Sequence, residues 1–288
     1  MRTLAVNGTT VDYDRRGSGP PLLLVPGGAG HAGVFDGFAS LLAEHYDVVA
    51  MSSRMASQER PDPSLEDERP SAHAEDTLGL IEELFDEAPT VFAFSSGAVT
   101  TLELLRRGPD RVRLAVVHEP PVLDLLPDAE RHRAAIASVR EASRAEGSDA
   151  AQALMTKAMG ALDTGGESPD LRHPGDWLDG YAETRPEPPT PALMELFSRL
   201  GESQPAFLER MLVPFTGYEP DLAALGAVAS RLVPAAGVDS RGQLPYRTAA
   251  ALATRLGLPL TELPGGHLGP VERPTQYADA LKALLEGR

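Results

Sequence analysis

Between Leu22 and Val117 the sequence carries four short apolar runs set apart by stretches of helical periodicity, and this alternation restricts the fold more than any other feature. The runs are Leu22-Leu23-Leu24-Val25, Tyr46 to Met51, Thr90 to Phe94 and Val112 to Val117. Each is too short for a core helix and too continuously apolar for a half-exposed strand, so each reads as a strand buried on both faces. Helical patterns fill the intervals at Ala32 to Glu44, Ala72 to Glu87 and Gly97 to Arg107. Strands alternating with helices at this spacing predict an α/β fold with a mostly parallel sheet flanked by helices. Ahead of the first run, Thr3 to Asp14 alternates apolar and polar residues around Asn7-Gly8. That pair is a strong two-residue hairpin signal and predicts two antiparallel strands at a sheet edge.

The alternation then stops. From Leu123 to Ser230 helical patterns are broken by Gly165-Gly166, Pro186 to Pro191 and Pro214, with no strand signal. The spacing predicts an inserted helical cap over residues 122–230, set into an α/β core of residues 1–121 and 231–288. Within the cap, Asp128 to Ala142 and Ala150 to Met159 carry helix-period apolar residues, Thr164 to Pro169 reads as a mobile loop, and Pro191 to Leu212 holds two further helices. The sheet resumes with a strand at Arg231 to Gly237, a helix from Gln243 to Arg255, a strand near Leu258 to Leu263 and a closing helix from Pro274 to Glu286.

Composition narrows the function classes. With a net charge of -16, and arginines never clear of neighbouring carboxylates, nucleic acid and anionic membranes are poor partners. No cysteine is present, so disulfides, thiolate metal sites and cysteine nucleophiles are excluded. The histidines lack metal-ligand spacing, and neither a metal nor a cofactor is expected. No stretch approaches the roughly 20 apolar residues that span a bilayer, and Met1 to Asn7 does not resemble a leader, so a cytoplasmic location is expected. A small-molecule substrate is the expected partner, and a homodimer is compatible with the sequence.

The chemistry centres on Phe92-Ala93-Phe94-Ser95-Ser96-Gly97-Ala98, where a buried strand turns sharply into a helix. Such a turn strains the serine backbone and projects the Ser95 hydroxyl from the sheet edge, while small neighbours let strand and helix approach closely. The pattern departs from the usual one in having Ala93 two residues before the serine in place of glycine. The alternative is a plain helix cap, since serine is a favoured N-cap. Order argues for a nucleophile: the glycine-rich Pro26-Gly27-Gly28-Ala29-Gly30 lies two strands earlier, and Pro264-Gly265-Gly266-His267 follows the last strand.

In the order and spacing of these residues the chain resembles the α/β-hydrolase superfamily over nearly its whole length, the cap matching least. The resemblance implies Ser95 as nucleophile, His267 as general base, and the backbone N–H groups of Gly28 and Ser96 as oxyanion donors, with Pro26 where a histidine is commoner. The alternatives are a simple strand-to-helix turn for the glycine loop and a surface histidine for His267. The third member of the triad is open. The family's usual acid position, three residues beyond Gly237, holds Ser240, with Asp239 beside it. In a branch similar to haloalkane dehalogenases the acid follows the strand after the nucleophile helix, where this chain has Val117-His118-Glu119-Pro120-Pro121. Glu119 is preferred to Asp239; the competing view makes Glu119 a loop carboxylate that anchors Arg241 or the cap hinge. The familiar Arg-Gly turn is also altered, to Ser53-Arg54-Met55-Ala56-Ser57.

Three functions are therefore weighed. The first is hydrolysis of an ester, lactone or thioester of a small, fairly apolar molecule through an acyl-enzyme at Ser95, with cap residues such as Leu154, Met155, Met159, Leu193, Met194, Phe197, Leu212, Val213 and Phe215 around the pocket. The second keeps the site but runs an acyl elimination, cyclisation or rearrangement in a biosynthetic pathway of secondary metabolism. The third is a binding module with an idle triad.

Overall fold

The structure, a computed structural model, describes residues 1–28, 30–57, 66–159, 194, 201 and 203–287. The loop Thr164 to Pro169 lies outside the described residues, and so do 191–193, 195–200 and 202 of the stretch Pro191 to Leu212, whose residues 203–212 are described and helical. Eight strands form one sheet in the order β1-β2-β4-β3-β5-β6-β7-β8. β1 (Arg2–Val6) and β2 (Thr9–Gly17) form the edge hairpin, turned by Asn7 and Gly8 at φ 46 and 76. Both central residues in the left-handed region give the turn a twist that matches the strands it joins. β2 pairs antiparallel with β4 (Asp47–Met51), and every later pairing is parallel.

The parallel strands β3 (Pro21–Val25), β5 (Thr90–Phe94), β6 (Leu114–His118) and β7 (Leu232–Gly237) are almost wholly buried, as their apolar runs predict. Their side chains alternate between two cores. Leu23, Val91, Ala93 and Val117 face α2 (Pro70–Leu84) and α3 (Ser96–Arg107). Leu22, Leu24, Phe92, Phe94 and Val116 face α1 (Asp36–Leu42) and the closing helix Pro274–Glu286. On that second side Phe35, Phe38, Phe92, Phe94 and Tyr277 meet at centroid distances of 5.4–6.3 Å, every pair edge to face except the tilted Phe35–Phe38. Pairs of this kind add about 0.5–1.5 kcal/mol each beyond area burial.

Element ends differ from the sequence reading for local reasons. The first helix splits into a 3-10 turn, Ala32–Phe35, capped by His31 Nδ1 accepting from Gly33 N–H at 3.1 Å, followed by α1. β8 shortens to Thr261–Leu263, because Leu258 N–H is spent on the Ala253 carbonyl behind the left-handed Gly257 and Pro259 has no N–H to offer.

Between β6 and β7 the described residues hold helices and no strand: α4 (Ala129–Glu146), α5 (Ser148–Met159), a π turn at Phe207–Met211, and the helices Leu212–Thr216 and Leu222–Ala227. Leu123, Leu126, Ile136, Val139, Leu208 and Leu212 give this region a core of its own. Pro214 has no N–H for the carbonyl four residues back, and that carbonyl, of Arg210, accepts the Glu68 N–H at 2.9 Å instead. The Arg210 guanidinium donates to Glu68 Oε1 at 2.6 Å and to the Glu66 carbonyl at 3.1 Å, and His73 Nε2 lies 3.2 Å from Glu68 Oε2. All three ionisable side chains are buried. No described helix is long and apolar enough to cross a membrane.

Removing one member of a buried ion pair strands the other. Arg210→Met is expected to lower unfolding free energy by about 3–5 kcal/mol in urea titrations at neutral pH, with part of the loss recovered in Arg210→Met/Glu68→Gln.

Candidate active site

The C-terminal ends of β5, β6, β7 and β8 form one edge of the sheet, and the singled-out residues gather there. Ser95 follows β5 directly at φ 55, ψ -127, and its N–H donates to the His118 carbonyl at 2.9 Å. Its side chain makes no capping hydrogen bond to α3, so the helix-cap alternative is not realised. A methyl group on Gly97 would lie 2.4 Å from the Pro26 carbonyl oxygen and 2.6 Å from that of Val25. Only glycine lets α3 start this close to the end of β3. On the other side of the contact, Gly28 has φ 63, and its carbonyl oxygen lies 3.4 Å from Ser96 Oγ. The loop Pro26 to Gly28 and the first turn of α3 therefore face one another beside Ser95. Ala29 lies outside the described residues.

Glu119 follows β6 as Ser95 follows β5, also at positive φ (51), with its N–H bonded to the Ala235 carbonyl at 3.0 Å. Its carboxylate is fully buried and fully engaged. Oε2 accepts from His267 Nδ1 at 2.7 Å, while Oε1 accepts from Gly237 N–H at 2.9 Å and from the Ser240 hydroxyl. Burial pushes this carboxyl up, but the adjacent His118 and His267 imidazoles and the hydrogen bonds donated by His267 and Ser240 prevail and hold it at about 2. The 264–267 turn is fixed from below by His118, whose Nε2 lies 3.2 Å from the Gly266 carbonyl. Burial lowers the His118 imidazole, which favours its neutral form and makes Nε2 the donor to that carbonyl. β7 approaches the same turn so closely that a methyl on Gly237 would meet the Gly265 carbonyl oxygen at 2.4 Å.

The structure thus brings the Glu119 carboxylate to His267, whereas Asp239, although its N–H bonds to the Gly265 carbonyl at 3.0 Å, directs its carboxylate to Arg273. The Asp239 carboxylate is 46% exposed and pairs with Arg273 at 3.3 Å. Arg241, which the competing view has Glu119 anchor, is bidentate to Glu262. Of the apolar cap residues expected at the pocket, Leu212 and Phe215 are buried in core clusters, Met155, Met159 and Val213 pack against the cap core, Leu154 and Met194 are exposed, and Leu193 and Phe197 lie outside the described residues. A cavity of about 10 Å³ beside Gly28 and Ser96, room for a single water, is lined by Met51, Thr77, Thr100 and Met211 and by Arg54, which is held by a bidentate pair with the buried Asp76. Helix periodicity could not rank Met211 above its neighbours, because its position depends on the π turn. Among the described residues no cluster of histidines and carboxylates could hold a metal ion.

A family model described as the alpha/beta hydrolase fold matches residues 20–207. An uncharacterized hydrolase, YraK, of Bacillus subtilis (strain 168) is 31% identical across 99% of this chain and 95% of that protein. A zearalenone hydrolase of Bionectria ochroleuca is 33% identical over 40% of this chain and 45% of its own length. The fold matches a thermophilic esterase of Thermogutta terrifontis with a TM-score of 0.69 at 19% identity, covering 99% of this chain and 96% of that one.

The position of the Glu119 carboxyl fixes a pH dependence. A carboxyl held at about 2 when folded, against 4.5 for the free group, contributes stability that is complete above pH 4.5 and is lost as pH falls towards 2. The loss is on the order of 3 kcal/mol. The stability difference between parent and Glu119→Gln, measured by denaturant unfolding, should be constant above pH 4.5 and shrink steadily below it.

Proposed function

The chain belongs to the alpha/beta hydrolase family and is an enzyme of that family, and from this premise we propose that it hydrolyses an ester, lactone or thioester of a small, fairly apolar molecule through an acyl-enzyme on Ser95. The observation that carries the reading is the 2.7 Å contact of His267 Nδ1 with a buried Glu119 carboxylate, on the sheet edge where Ser95 stands at positive φ. With Glu119 ionised, Nδ1 is the protonated nitrogen and Nε2 is left as the base.

In the proposed reaction the Ser95 hydroxyl attacks the carbonyl carbon and His267 Nε2 takes its proton. The oxyanion falls between the N–H groups of Gly28 and Ser96, and donors so placed are typically worth about 2.7–4 kcal/mol each. The tetrahedral intermediate collapses by expelling the alcohol or thiol, which receives the proton from His267. Water then attacks the acyl-enzyme, again giving its proton to His267, and the acid leaves as Ser95 recovers its hydrogen. In both halves Glu119 faces the transient imidazolium across one hydrogen bond and stabilises it. Among the described residues no hydrogen bond joins Ser95 to His267, and the contact is expected to close when substrate is bound.

Residues 122–230 serve in this reading as the cap.

A fluorophosphonate probe, read by intact-protein mass, should label the parent at Ser95 and leave Ser95→Ala unlabelled. Labelling and short-chain ester hydrolysis should fall by about 10³ to 10⁶-fold in His267→Ala and by about 10² to 10⁴-fold in Glu119→Gln, and stay within about twofold in Asp239→Asn. A severe loss in Asp239→Asn beside an active Glu119→Gln would move the acid to Asp239. Oxygen from labelled water must enter the acid product; its absence would turn the assignment to elimination or cyclisation.

A further inference from the structure

The buried hydrogen bonds around Glu119 single out a residue that does not touch the reacting groups. We propose that Ser240 is the positioning residue of the Glu119 and His267 pair, its hydroxyl fixing the carboxylate so that one oxygen is reserved for the imidazole. The proposal rests on the reading of Glu119 as the acid of the triad.

Glu119 reaches His267 through a flexible side chain from a strained backbone, in a place no solvent reaches. A carboxylate there could turn about its terminal bond and present either oxygen. Two donors on Oε1 prevent this: the Gly237 N–H at 2.9 Å and the Ser240 hydroxyl. Oε2 then has one partner, His267 Nδ1. Ser240 is itself fully buried, so its hydroxyl has no competing water. The same hydroxyl lies 2.9 Å from the Gly237 carbonyl oxygen, yet it has a single proton to give. A charged acceptor outcompetes a neutral carbonyl, and the proton goes to Glu119.

Ser240 ends the 3-10 turn Val238–Ser240, whose first residue follows Gly237. One short segment therefore supplies both donors, and the pair moves as a unit with the end of β7. Asp239, between them, turns outward to Arg273. Removing the Ser240 hydroxyl leaves Oε1 with one donor, loosens the carboxylate and spreads the orientation of His267. Substrate contacts are untouched, so the loss belongs to turnover rather than binding.

The test compares Ser240→Ala, Ser240→Thr, Glu119→Gln and Glu119→Gln/Ser240→Ala with the parent, each checked by circular dichroism to be folded at the assay temperature. Three quantities are read: kcat and KM on a hydrolysed ester, the rate of fluorophosphonate labelling, which needs no known substrate, and the downfield proton resonance of His267 Nδ1–H. Ser240→Ala should lower kcat and labelling rate by about tenfold, with KM within about twofold, and shift or broaden the resonance. Ser240→Thr, which keeps a hydroxyl, should recover most of the rate. In the Glu119→Gln background Ser240→Ala should cause no further loss, because the group it positions is gone. An equal loss in both backgrounds would reduce Ser240 to a structural role and overturn the proposal. Full rates in Ser240→Ala beside a damaged Glu119→Gln would overturn it while leaving the triad reading intact. Full rates in Glu119→Gln would remove the triad reading itself.

Discussion

The parallel hydrogen-bond ladder runs past the ends of β5, β6 and β7, and the geometry of the site depends on that overrun. Ser95 N–H bonds to the His118 carbonyl, Glu119 N–H to that of Ala235, and Asp239 N–H to that of Gly265. The chain must turn at these points while remaining tied to its neighbour, which forces Ser95 and Glu119 into the left-handed region. A residue with a side chain held there costs on the order of 1–3 kcal/mol. Strands buried on both faces supply the opposing energy, since a slip of one residue would carry Phe92, Val116 and Val233, together with every partner across the sheet, out of the core they fit and into the other. The strain at the site is thus set by the same apolar runs that determine the sheet.

Two buried carboxylates show how different surroundings give one side chain different work. Glu68 lies between Arg210 and His73, and its charge ties the region between β6 and β7 to the loop ahead of α2. Glu119 has no arginine. It is kept ionised by neighbouring imidazoles and by neutral donors, and so retains a field that an imidazolium at His267 can use. An arginine in the same place would hold the carboxylate as firmly, but would spend that field on itself and repel the charge that the proposed reaction creates.

Continuous apolar runs made the strands legible in the sequence, and Asn7-Gly8 made the hairpin legible, because burial on both faces and φ > 0 each admit few residue types. Helix ends were less legible. The split at Phe35 and the shortened β8 depend on single capping bonds and on Pro259, which apolar periodicity does not register. At the site, Ser95 and His267 stand in turns whose glycines mark close approach, and the structure places them on one edge of the sheet. Glu119 and Asp239 could not be separated by sequence, since the orientation of a side chain on the three-residue turn Val238–Ser240 depends on Arg273, far along the chain. The hydroxyl of Ser240 carried no sequence signal beyond its place beside Gly237.

An acid on β6, if that is its role, also alters what β7 must do. The end of β7 is freed from carrying a carboxylate and instead offers the Gly237 N–H and the Ser240 hydroxyl as donors to one. The carboxylate is then bracketed by three strand ends, with its backbone on β6, its donors on β7 and its imidazole beyond β8. Water has no access to such a position, as the full burial of Glu119 against the half-open Asp239 makes plain. Exclusion of water raises both the cost of holding the charge and its effect on His267, since both scale with the low local dielectric. The donors on Oε1 offset the cost without reducing access to Oε2. The Asp239 carboxylate faces the opposite balance: it is paired with Arg273 and screened by solvent from the imidazole it would have to support.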